Sequence, residues 1–240
     1  MEEWKNILQG IPRGKVLDVA TGTGGFVHFL LDALKEYDEI VGIDTSERSA
    51  AVFVEAFKDR PNIRFAKMDA AQMDFPEAAF DMVCIANSLH HMADLGRVLA
   101  EMLRVLKPGG YFIVAEMYRN GQTETQLTHV YLHHWWAAVD TSQGITHGET
   151  YTRQQIVDVV NGLGLRGVTY HDLCDLSGDP KQPEAVKELN NAIDRYIERS
   201  RGASNEAELK QRGEELRQRV QDVGFHSATT LLAIGESPSS

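Results

Sequence analysis

Val16-Leu-Asp-Val-Ala-Thr-Gly-Thr-Gly-Gly25, followed about 20 residues later by Ile40-Val-Gly-Ile-Asp44, decides how this chain is read. The first stretch has the form of a short buried strand that enters a glycine-rich turn, with a helix beginning near Phe26. The second is another apolar strand, ending on a carboxylate. Glycines at the C-terminal end of a strand let a ligand approach the backbone where a Cβ would block it. A carboxylate at the tip of the next strand can accept both hydroxyls of a ribose. Together the two stretches read as a nucleoside-binding site.

The loop is not that of a dinucleotide fold. Gly22, Gly24 and Gly25 lack the third glycine of G-x-G-x-x-G at its required offset, and Asp18 lies inside the strand ahead of them. Further along, strands and helices alternate through residue 117. Strands are expected at Lys15–Val19, Ile40–Ile43, Ile63–Lys67, Phe80–Ala86 and Tyr111–Ala115. Helices are expected from Gly25 to Lys35, after the N-cap candidate Ser46 with Pro61 beyond its end, and over the stripe Leu95, Val98, Leu99, Met102, Leu103 and Leu106. Lys107-Pro-Gly-Gly110 stops the last of these. Repeated β-α units of this kind imply a mostly parallel sheet with helices on both faces.

Residues 118–150 break the pattern, being polar and aromatic with no strand signal. Thr152-Arg-Gln-Gln155 is a capping box opening a helix that closes near Gly164, and a sixth strand follows over Leu165–Leu173. Residues 183–222 read as two amphipathic helices, with a last strand at Ser227–Ile234 and a frayed tail, Gly-Glu-Ser-Pro-Ser-Ser.

The 240 residues suit one elaborated domain, 42% hydrophobic and 25% charged. A net charge of -11 argues against a partner gripped through phosphates, so no nucleic acid is expected. No apolar run reaches the roughly 18 residues that span a bilayer, and Met-Glu-Glu-Trp-Lys-Asn has no secretory pattern. Two cysteines, Cys84 and Cys174, form no disulfide framework, so the expected compartment is the cytoplasm.

Val16–Gly25, Gly42-Ile-Asp44, the Asp69-Ala70 step, and Phe80-Asp-Met-Val83 with Leu106-Lys-Pro-Gly-Gly110 together resemble the class I S-adenosylmethionine (SAM) methyltransferases. Within them the chain is similar to the type 11 subgroup that includes ubiquinone and menaquinone C-methyltransferases. Ala20 stands where the first glycine of the family's loop often stands. The resemblance covers residues 14–117 closely and implies a Rossmann-like α/β fold of seven strands, the last antiparallel and inserted beside the fifth. It implies one methyltransferase domain, 1–240, made of a cofactor core (14–117), a helical substrate lid (118–150) and a helical insertion (183–222). Roles follow for single residues. Ala20, Thr21, Gly22 and Gly24 would line the methionine end of SAM, and Asp18 would orient its amino group. Asp44 would take the ribose hydroxyls, with Thr45 beside the adenine edge. Asp69 and Ala70 would meet the adenine amino group, and Asn87 would sit between cofactor and acceptor. Asp44 could instead cap the following helix, and Asp69 and Asn87 could be turn residues.

The implied reaction passes a methyl group to a small-molecule acceptor by in-line displacement and leaves S-adenosylhomocysteine. Such chemistry needs positioning and exclusion of water more than a fixed catalytic signature. Acceptor-side candidates are His90 and His91 after the fourth strand, with His91 the candidate base, together with Tyr118, His129, His133 and Trp136. Leu127–Gly148 also holds His134, Trp135 and His147. His129 and His133 at i, i+4 could chelate a metal, but with no cysteine or evident third ligand nearby none is expected. The helical pair at 183–222 is read as a solvated hairpin, a homodimer contact or a second pocket wall. Two readings from other classes stand beside the enzyme: a catalytically silent SAM-binding partner subunit, and an NAD-dependent oxidoreductase.

Overall fold

A computed structural model describes residues 3–238. Its centre is one seven-stranded sheet: β1 (Lys15–Val19), β2 (Glu39–Asp44), β3 (Ile63–Lys67), β4 (Phe80–Ala86), β5 (Leu106–Met117), β6 (Arg166–Leu173) and β7 (Thr230–Glu236). The spatial order is β3-β2-β1-β4-β5-β7-β6. β1 to β5 pair in parallel, whereas β7 runs antiparallel between β5 and β6. The strand order reverses beside β1, so the loops after β1 and β4 part there and open a crevice at the sheet's C-terminal edge.

Strand alternation assigns the helices to faces. Leu17, Val19, Val83, Ile85 and Phe112 pack with Val98 and Met102 of α4 (Leu95–Val105) and with Ile156 and Val160 of α6 (Arg153–Asn161). Val16, Ile40, Met82, Cys84 and Ile113 face the other way. They meet Leu8 of α1 (Glu3–Gly10), Leu30 of α2 (Gly25–Ala33) and Phe53 of α3 (Glu47–Ala56). The backbone also accounts for the caps: Ser46 accepts from Ser49 N and opens α3, and Asp94 accepts from Arg97 N and opens α4.

The 118–150 segment contains a long helix, α5 (Glu124–Ser142), opened by a capping box in which Thr123 and Gln126 bond reciprocally. α7 (Pro183–Arg199) and α8 (Glu206–Asp222) lie against it. These three helices share a third core of Leu132, Trp135, Val139, Ile193, Leu209, Leu216 and Val220, which holds no strand residue. Trp135 lies so close to α8 that a Cβ at Gly213 would stand 2.6 Å from its ring, and its indole donates to Leu209 O at 2.8 Å.

Three expectations change. An N-terminal helix, α1, precedes the first strand. β5 begins at Leu106, so Lys107-Pro-Gly-Gly110 lies within the strand's irregular start. The tail is ordered further than expected, since Gly235 and Glu236 belong to β7 and Ser237 donates from N to Gly110 O and from Oγ to Lys107 O. Ser239 and Ser240, with Met1 and Glu2 at the other end, lie outside the described residues. Among the described residues no helix is long and apolar enough to cross a membrane.

Candidate active site

The β1–α2 loop is held open by its own backbone. Ala20, Gly22 and Gly24 all take positive φ, at 54°, 54° and 92°. For Ala20 the left-handed region costs about 1–2 kcal/mol, and it is kept there partly by the next amide, Thr21 N, which donates to Ile43 O at 2.9 Å. Nothing stands within 4 Å of where a Cβ at Gly22 would point, so the loop borders free space. Gly24 turns inward against Phe57. Asp44, at the end of β2, accepts from Gly22 N (3.0 Å) through Oδ2 and from Ser46 N (2.8 Å) through Oδ1. It thus ties the loop to β2 and starts the turn into α3, while each oxygen keeps a second lone pair for a ligand.

Asp18 is 1% exposed on the face of β1 that also carries Val16. The Thr21 hydroxyl donates to its Oδ2 at 2.5 Å, and Oδ1 has no partner. Burial pushes this carboxyl up to about 7, against the opposing pull of the Thr21 bond and with a smaller push from Asp44. The carboxyl is thus buried at a cavity wall with one oxygen unpaired.

Two adjoining cavities run along this edge. One, of about 480 Å³, is lined by Asp18, Thr21 and Gly22 on one side and by Phe26, Phe29 and Leu173 on the other. The second, of about 750 Å³, passes Asp44, Thr45, Asp69 and Ala70 and ends at His91, Asp140 and Ile145. Ala20, Gly22, Asn87 and Ser88 line both. Asn87 takes a positive φ of 46°, and its Oδ1 accepts from Met117 N at 3.0 Å. Asp69 accepts from Ala71 N through Oδ1. These residues therefore carry structural bonds and still face the cavities.

The model of a family described as the methyltransferase domain matches residues 17–114. Those residues are similar to a methyltransferase domain. The chain is 36% identical over 110 residues to the demethylmenaquinone methyltransferase of Bacillus licheniformis, covering 45% of this chain and 47% of that one. It is 29% identical over 163 residues to the fusarielin synthase of Gibberella zeae, covering 65% of this chain and 6% of that protein. The chain thus spans less than half the length of these relatives. A crystal structure of a putative methyltransferase from Bacillus halodurans superposes with a TM-score of 0.62 at 17% identity, covering 98% of this chain and 97% of that one. That likeness extends the shared fold well beyond the matched domain.

The histidines gather where the matched stretch, residues 17–114, meets the segment that follows it. His90 and His91 form a single turn of 3-10 helix, Leu89–His91, after β4. His133 comes from α5, and His147 from the loop that returns from it, where Gly148 N donates to His90 O at 2.7 Å. Ring centroids are 4.4 Å apart for His90 and His91, 4.0 Å for His91 and His147, and 4.8 Å for His90 and His133. Two buried carboxylates back the group. Glu116 Oε1 lies 2.6 Å from His90 Nδ1, while its Oε2 accepts from Ser88 N and Leu89 N. Asp140 Oδ2 lies 2.8 Å from His147 Nδ1, and Arg199 stands 2.9 Å from its other oxygen.

Burial and the neighbouring rings push His91 down to about 4 and His133 down to about 2, so both imidazoles are neutral at pH 7. His90 Nε2, His133 Nδ1 and His147 Nε2 are buried without partners. An unsatisfied buried polar atom costs about 1–3 kcal/mol.

Other candidates on the acceptor side lie elsewhere. His129 accepts from Ala228 N at 2.9 Å and packs on Phe225, so it anchors α5 near the start of β7. It is not one of the gathered four, and the pairing of His129 with His133 gives way to His133 with His90, His91 and His147. Tyr118 is buried in the sheet core, near Asp172. Trp136 rests against Tyr196 of α7, 5.7 Å between centroids, with His133 on its other side. Neither residue lines the two cavities. Glu116 and Asp140 were not foreseen. A charged residue inside the apolar run Ile113–Met117 was the available signal for Glu116.

Proposed function

We propose that this protein is a SAM-dependent methyltransferase acting on a small, largely apolar organic acceptor. The observation that carries the reading is Asp18: a buried carboxyl with a free oxygen, beside an open glycine loop, in a cavity that continues past two further carboxylates. When bound, SAM supplies a methyl group on a positively charged sulfonium that is already a good leaving group. Asp18 holds the ammonium end, and the cation in turn restores the ionised form of the carboxyl. Asp44 accepts from the ribose hydroxyls with the lone pairs left over from Gly22 and Ser46. Thr45, Asp69 and Ala70 border the adenine, and Asn87 stands between the two cavities.

Phe26, Phe29 and Leu173 give the acceptor an apolar wall and keep water from the reacting face. A quinone-like ring is one acceptor of this class, by analogy with the Bacillus licheniformis relative. No base is assigned: the neutral His91 is a weak proton acceptor, and a carbon or already ionised nucleophile needs none early. Cytoplasmic residence is part of this proposal and rests on two free cysteines.

Calorimetric titration with SAM, S-adenosylhomocysteine and NAD tests the cofactor, and a radiolabelled methyl-transfer screen over apolar phenols, quinols and thiols tests the acceptor. Binding of both sulfur nucleosides with turnover is expected. Binding without transfer to any acceptor would favour a silent SAM-binding subunit, and binding of NAD alone would refute the assignment.

A further inference from the structure

We propose that His90, His91, His133 and His147 bind one divalent first-row transition ion, zinc for preference, and that this ion fastens α5 and its return loop to the end of β4. One ring nitrogen from each of the four lies within 4.8 Å of every other, in a group that is mostly buried. Tetrahedral zinc at imidazole distances sets its donors about 3.3 Å apart, so small ring rotations close the set.

The unpartnered atoms point to a ligand. His90 Nε2 and His147 Nε2 are buried with nothing to bond, on side chains 0% and 5% exposed, and His133 Nδ1 is buried likewise. On two of these rings the opposite nitrogen is already engaged: His90 Nδ1 with Glu116 and His147 Nδ1 with Asp140. An imidazole that donates from one nitrogen to a carboxylate or carbonyl presents the other as a lone pair, fixed in orientation and raised in basicity. His90 and His147 have that arrangement.

Charge agrees with the geometry. Among the described residues, Glu116 has no ion-pair partner other than His90, yet it is 0% exposed. A dication bound by His90 would place positive charge close to this buried carboxylate, whereas Asp140 already pairs with Arg199. The donor set selects the ion: four nitrogens without carboxylate or carbonyl ligands suit zinc, iron, nickel or copper and exclude calcium and magnesium. The remaining histidines of the region are otherwise committed, His129 to Ala228 N and His134 to Thr150 Oγ1.

The ligands come from three stretches of chain, so the ion acts as a clasp. His91, Asp140 and Ile145 also form the end wall of the larger cavity, which therefore takes its shape from an occupied site. The ion's binding does not depend on the cofactor assignment.

The test uses the full-length protein, stripped with a chelator and titrated with zinc chloride, with cobalt(II) as a spectroscopic stand-in. Expected are one zinc per chain by elemental analysis, a dissociation constant of about 1 μM or tighter, and visible cobalt bands of a tetrahedral nitrogen site. His133→Asn and His147→Asn should each weaken binding by about 100-fold or more, and Glu116→Gln by about 10–100-fold, while His28→Asn on the exposed face of α2 leaves it unchanged. Zinc should also slow amide exchange over residues 143–150 in the wild-type protein. No heat with zinc up to about 1 mM would overturn the proposal and leave ordered water as the partner of the three nitrogens. Undiminished binding in folded His133→Asn and His147→Asn would overturn it as well. Loss of SAM binding with zinc binding intact would refute the cofactor reading alone.

Discussion

Asp18→Asn separates the cofactor's needs from those of the fold. In the free protein the buried carboxyl titrates near 7 against an ordinary value of 3.8. Between these values folding takes up a proton, so stability falls as pH rises from about 4 to 7 and the full penalty stands above 7. At about 1.4 kcal/mol per unit, an ionised Asp18 costs roughly 4 kcal/mol at pH 8. Asparagine never carries that charge and can still accept from Thr21. The variant should therefore gain about 2–4 kcal/mol at pH 8, a rise in Tm of about 5–15 °C for a chain of this length. At pH 5 the gap should shrink to roughly 1.5 kcal/mol, and it should close only as pH falls below about 4.

The ligand reverses the sign. A bound ammonium draws the carboxyl back to its ionised form, so wild-type affinity for SAM should rise with pH through 7. Affinity in Asp18→Asn should be low and flat. Melting curves at both pH values, with and without SAM, measure all four corners. Equal Tm differences between the proteins at pH 5 and pH 8 would refute the burial argument. Unchanged SAM affinity in the variant would refute the ammonium contact.

Asp44→Ala removes two charge-assisted contacts to a bound ribose and two backbone bonds, and SAM affinity by calorimetry should fall at least about 100-fold with the fold retained in circular dichroism. Gly213→Val drives a branched side chain into the ring of Trp135; denaturant melts should show a loss of about 2–3 kcal/mol while SAM affinity changes little. Trp136→Ala should likewise cost about 2 kcal/mol through lost packing on Tyr196, read as a lower urea midpoint; a selective loss of turnover with unchanged stability would instead return Trp136 to the acceptor pocket.

The cofactor half was legible because its signals are local. Val16–Gly25, the two carboxylates at strand tips and the stripe of α4 each fix an element within a dozen residues, and alternation fixes their order. The 118–150 segment was expected to be helical, but the start of α5 was not read, although Thr123-Glu-Thr-Gln126 repeats the form of Thr152-Arg-Gln-Gln155. Its apolar residues do not form one stripe, because the helix is buried by the sheet end on one side and by α7 and α8 on the other. α1 had Trp4, Leu8 and Ile11 at helical spacing, in a piece too short for the pattern to stand out. The histidine group was legible only as composition: its members meet after the loop beyond α5 folds back and Gly148 docks on His90, a contact with no local sequence signal.

The core made by α5, α7 and α8 bears on how such a protein can change its acceptor over time. These helices pack on one another, yet the chain enters the group after β5, leaves it for α6 and β6, and enters again before β7. A transplant of the group by recombination would need two matched insertions. A single crossover would deliver a Trp135 without its Gly213, or an α8 facing a foreign α5. Divergence of this region should therefore proceed by paired point substitutions across the α5–α8 seam, while the β1-to-β5 half stays interchangeable as one continuous block.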